Sequence, residues 1–137
     1  MANIGRFRSR MRGNDLVLKR MDNMGIAVES LDTTISFFVE LGMKPEGRTT
    51  IEGEWAGRVT GLGLQRVEIA MLVTHDGHSR LDLSQFLTPP VVADHQNAPV
   101  NAPGYLRVMF TGDDIDELRA RLRKRGAQLI GLAEQLG

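Results

Sequence analysis

The chain predicts an α+β domain assembled from two related strand-helix units. Three observations carry this: a phrase that returns, apolar residues spaced first at two and then at about 3.6, and a hairpin signal inside the first unit. The phrase is Asn-Met-Gly-Ile-Ala-Val-Glu-Ser-Leu-Asp at residues 23–32, and its counterpart is Arg-Val-Met-Phe-Thr-Gly-Asp-Asp-Ile-Asp at 107–116. Each copy is an apolar run, an acidic turn and an amphipathic stretch closed by glycine, Gly42 in the first and Gly126 in the second. A protein built from two like halves usually works in the cleft between them, so that equivalent positions face one site.

The first unit opens with a strand in which Met24, Ile26 and Val28 alternate with Asn23, Gly25 and Ala27, giving one apolar face and one small or polar face. The apolar face is expected under a helix at residues 31–41, where Ser30 caps the start, Leu31, Ile35, Phe38 and Leu41 form the stripe, and Gly42 stops it. Strands are expected next at residues 47–51, 58–61, 66–74 and 80–86. The last two are joined by His75-Asp76-Gly77-His78, and Asp-Gly between apolar runs is a strong hairpin signal. With the short run at 58–61 counted as an extra to the pattern, the first module reads as β-α-β-β-β, occupying about residues 21–89, and a bridge rich in Pro, Asn and Ala follows at 90–104.

The second module, residues 105–137, begins with an expected strand whose Leu106, Val108 and Phe110 face a core, leaving Tyr105, Arg107, Met109 and Thr111 on the other side. Asp114 caps the next helix with Glu117 three residues on, and Ile115, Leu118 and Leu122 give its apolar stripe. Its many arginines read as a solvated face, favourable near a helix C-terminus. This module is incomplete, with room for one more short strand instead of three. An unfinished sheet exposes edges and core, so a partner is expected, most simply a second copy of the chain in a homodimer.

Composition narrows the classes. Seventeen basic residues balance seventeen acidic ones, which argues against nucleic acid as a partner despite a basic arm at residues 1–20 carrying Arg6, Arg8, Arg10 and Arg12. No apolar stretch is long enough for a secretory signal or a membrane span. The absence of cysteine excludes disulfides, thiolate metal sites and a cysteine nucleophile, and it fits a reducing cytoplasm. One core is affordable at this length, so residues 21–137 form a single domain.

Residues 21–28, Met-Asp-Asn-Met-Gly-Ile-Ala-Val, followed by Leu31-Asp32 and by Phe37-Phe38 with Leu41-Gly42, resemble the opening of the glyoxalase/bleomycin resistance/dioxygenase family, also called the vicinal oxygen chelate superfamily. Gly104 through Asp114-Ile115-Asp116 to Arg125-Gly126-Ala127 resembles the start of that family's second β-α-β-β-β module. Within the family the chain is most similar to bacterial lactoylglutathione-lyase-like proteins. The resemblance implies paired modules around a cupped sheet. In metal-using members the cup holds a divalent cation through histidine and glutamate, a Lewis acid acting on vicinal oxygens.

The ligand positions that the resemblance implies are mostly substituted. The first-strand histidine falls on Asn23, a weak carbonyl ligand. The last-strand carboxylate of the first module falls on Asp82, and the second-module histidine falls on Arg107, which cannot lose its proton to ligate. The final glutamate lies in the shortened part, where Glu134 is a weak stand-in. No metal and no other cofactor is therefore expected. Arg107 and Asp82 either meet across the cup as a charge-assisted pair in the space of the cation, or are separate solvent-facing residues, the commoner situation.

Candidate ligand-binding residues are thus Asn23, Asp82 and Arg107, with Glu68, which sits in an apolar strand and is expected to point into the cup, and Trp55 and Tyr105 as aromatic walls. His75 and His78 flank a hairpin tip, and His95 lies in the bridge without a partner. No phosphate loop, nucleophile elbow or triad is present. Two functions remain open. One is metal-free binding of a small organic molecule, as bleomycin resistance proteins sequester theirs. The other is a lyase, isomerase or dioxygenase with a divalent metal at a displaced site, or with Asp82 or Glu68 as general base and Arg107 on an oxyanion.

Overall fold

The computed structural model describes residues 18–92, 98–104 and 106–131. Four strands form one sheet in the order β1-β4-β3-β2, where β1 is Met24–Ala27, β2 Lys44–Gly53, β3 Gln65–Val73 and β4 Arg80–Thr88. The helices are α1 (Leu31–Glu40), α2 (Glu54–Thr60) and α3 (Ile115–Lys124). β1 runs parallel to β4, while β2 with β3 and β3 with β4 are antiparallel. The basic N-terminal arm to residue 17, Tyr105, His95 and Glu134 lie outside the described residues.

Side-chain alternation sorts the sheet into two faces. Met24, Ile26 and Val28 join Leu81 and Leu83 of β4 and Ala70 and Leu72 of β3 on the face covered by α1, where Leu31, Leu72 and Leu83 are fully buried. Leu31 anchors the helix for two reasons: its side chain enters the core, and its backbone N–H donates to Gln85 Oε1 of β4 at 2.8 Å. Ser30 caps α1 by accepting from the Thr33 N–H, and Ile35 and Phe38 continue the buried stripe. The expected first helix is present within a residue of its ends, and the first strand, expected over residues 20–28, is paired over Met24–Ala27.

Two expected elements differ. Residues 58–61 do not form a strand; they close α2, a short helix inserted between β2 and β3. The alternation of Arg58, Val59 and Thr60 is too brief to decide between periods. Tertiary seating on β2 and β3 decides it instead. Residues 106–110 are not a strand either and are exposed throughout. A strand exists only through hydrogen bonds to a neighbour, and among the described residues nothing after 110 forms one. The second helix does form, capped by Asp114 accepting from the Glu117 N–H at 2.9 Å, but none of its residues is buried. It touches the first module through Phe110, whose ring centroid lies 6.2 Å from that of Phe38, and through Arg125 with Glu40 at 3.3 Å.

Candidate functional site

The face of the sheet away from α1 is a cup. Its floor follows from strand parity: Asp82, Ser84 and Phe86 of β4 alternate with the core leucines, and the register sets Asp82 beside Gly25 of β1 and Met71 of β3. Val67 and Ile69 of β3 and Ile51 of β2 extend this floor. At one end α2 rises from Gly53 and turns Trp55 and Val59 over it, enclosing a cavity of about 280 Å³. Gly57 seats the helix. A Cβ there would lie 1.2 Å from the Gly63 carbonyl oxygen, so only glycine allows α2 to rest on its own return loop.

The cavity is apolar with a few polar groups, the usual make-up of a small-molecule site. Gln65 is buried, and its side-chain oxygen accepts from the Thr60 hydroxyl at 2.6 Å, so these two lining residues satisfy each other. Among the described residues Asp82 is the one charged side chain that lines the cavity, with no Lys, Arg or His beside it. Burial pushes its carboxyl above the ordinary aspartate range, with no opposing cause. An adjacent guanidinium would pull it down.

The candidate residues separate accordingly. Asp82 and Trp55 line the cavity, Asp82 half-buried and Trp55 54 % exposed at its rim. Glu68 does not point into the cup. It has the parity of Ala70 and Leu72, which places it on the α1 face, where it accepts from Arg48 Nη2 at 2.8 Å while the same guanidinium bonds Asp32 in the first turn of α1. Asn23 is exposed, ahead of the first paired residue of β1, and is not a lining residue. Arg107 is exposed in the unpaired segment, and no ion pair joins it to Asp82 among the described residues. Within one chain, then, the two do not meet across the cup. Sequence reading missed Ser84 and Phe86, which share the parity of Asp82, and it missed Gln65, Thr60 and Val59, which depend on α2.

The positions that the resemblance assigns to metal ligands carry a poor donor set. Asn23, Asp82 and Arg107 offer one carboxylate, one amide and one permanent positive charge, and among the described residues no three His, Asp or Glu side chains are grouped as a metal ion requires.

A family model for the glyoxalase/bleomycin resistance protein/dioxygenase superfamily matches residues 22–135. The chain belongs to this superfamily. Among solved structures it is similar to a glyoxalase family protein from Bacillus cereus, with 63% identity, 92% of this chain and 85% of that chain covered, and a TM-score of 0.87. No curated protein matches it. The superfamily member described here has the mixed α+β fold of that relative, with a four-stranded sheet and three helices among the described residues. None of those helices is long and apolar enough to cross a membrane.

Proposed function

We propose that this protein is a metal-free member of its superfamily that binds a small organic molecule in the cup between the sheet and α2. The observation that carries the reading is the donor set. Where metal-using relatives need several hard donors, this cup presents the lone carboxylate of Asp82 on an otherwise apolar floor, with Trp55 as an aromatic wall. Binding through shape and burial needs no more than that. A divalent-metal lyase, isomerase or dioxygenase would need at least two further ligands from positions now held by Asn23 and Arg107.

A homodimer belongs to the same reading. Among the described residues β1 pairs only with β4, which leaves its outer edge without a described neighbour, and Leu106, Val108, Met109 and Phe110 are all exposed beside an α3 that buries nothing. A second copy laid against these surfaces would cover them. A cytoplasmic location rests on the lack of cysteine.

Elemental analysis of protein purified without chelators tests the reading, together with melting curves after addition of zinc, nickel or manganese. The expected result is far less than one ion per chain and no change in Tm. One tightly held divalent ion per chain at pH 7 would overturn it.

A further inference from the structure

We infer that the molecule this cup takes is an organic cation: a compact apolar or aromatic body carrying one ammonium group, with Asp82 as its counter-ion. The inference deepens the proposed binding function and rests on it. Its basis is an imbalance in the cavity. Six apolar side chains, Ile51, Trp55, Val59, Val67, Ile69 and Phe86, make the walls and floor, and among them stands a single half-buried carboxylate. The other polar lining groups do not answer it: Thr60 is spent on Gln65, and neither of these bonds Asp82. No hydrogen bond or ion pair to the Asp82 side chain exists among the described residues, whereas the half-buried Glu68 of β3 has Arg48 and even the exposed Glu46 of β2 has Arg80.

A desolvated carboxylate without a partner is costly, and the cost is relieved by a ligand that brings the missing donor. An ammonium does so with a charge-assisted hydrogen bond, strengthened because apolar walls lower the local dielectric. Trp55 and Phe86 add a second attraction, since aromatic faces draw cations. An anionic ligand would meet like charge with no basic side chain to offset it. The cavity size limits the body to a molecule of about one ring.

The chain has a single tryptophan, Trp55, so its indole N–H resonance reports the cavity directly. Three probes of like shape separate the terms: 2-phenylethylammonium, 2-phenylethanol and 3-phenylpropanoate, titrated at pH 7 and constant ionic strength. The ammonium is expected to bind about tenfold more tightly than the alcohol, and the carboxylate more weakly than either. In D82N, shown to be folded by circular dichroism, the ammonium and the alcohol are expected to converge. Equal affinity for ammonium and alcohol, or an ammonium preference that survives D82N, would overturn the counter-ion assignment while leaving the cup as a binding site. A Trp55 resonance unmoved by all three probes would overturn the small-molecule reading itself, and the cation inference with it.

Discussion

Two acids on this sheet show how neighbours set a carboxyl's behaviour. Glu46 receives Arg80 Nε at 2.8 Å and Nη2 at 3.0 Å, and this two-pronged bond holds its carboxyl below the usual glutamate range. Asp82 has only burial, which raises its carboxyl. The consequences for stability have opposite signs. A lowered carboxyl contributes stability above its unfolded pKa and loses it as pH falls through the folded value. A raised one makes the folded state hold its proton more tightly, so stability declines as pH climbs from the unfolded aspartate value, about 4, through the higher folded value. At neutral pH the Asp82 charge therefore opposes folding. D82N is expected to raise Tm at pH 7, with the gain shrinking as pH is lowered through that window. Thermal melts of both proteins between pH 3.5 and 8 measure it. A lower Tm for D82N at pH 7 would mean that a positive group faces the carboxylate, as the Arg107 pairing would require.

Among elements, α2 rests on the tightest geometric condition. The turn of helix over its return loop leaves no room for a Cβ at Gly57, and the obstacle is backbone that cannot rotate away. G57A is expected to cost about 1–3 kcal/mol in denaturant unfolding, as overpacking does, and to shift the Trp55 indole resonance because Trp55 rides on the same helix. Stability unchanged from the parent would show that α2 is not seated as described. This element was also the least legible from sequence. Period-two and period-3.6 patterns gave β1 and α1, because Met24, Ile26 and Val28, then Leu31, Ile35 and Phe38, each bury one face and keep it over several residues. Seven residues give no such run, and α2 owes its form to a glycine contact between positions not adjacent in the chain. Strand parity was equally readable, and it sets Asp82 on the face opposite Leu81 and Leu83. The same rule applied to Glu68, Ala70 and Leu72 puts Glu68 on the helix side, where Arg48 ties it to α1.

For the molecule as a whole, the two copies of the repeated phrase differ among the described residues. Its second copy yields a capped helix, because capping and helix hydrogen bonds are local, but no strand, because a strand's bonds belong to its neighbours. What remains outside is a run of exposed apolar side chains: Met109 is 94% exposed and Ile115 63%, with Leu106 and Phe110 between the bridge and α3. Exposed apolar side chains grouped in this way mark association. Sedimentation equilibrium is expected to give twice the chain mass at micromolar concentration, and Tm is expected to rise with protein concentration, since a partner that binds only the folded state stabilises it by mass action. M109D places a charge where the apolar surface is most open. It removes no buried contact within the chain, so its own folding effect is expected to be small, while the dimer weakens by tenfold or more on the scale of about 1.4 kcal/mol for each factor of ten. A parent chain that sediments as a monomer with a concentration-independent Tm would contradict association. M109D dimerising as tightly as the parent would place the interface elsewhere, most directly along the outer edge of β1, where the backbone donors and acceptors of Met24–Ala27 face no strand among the described residues.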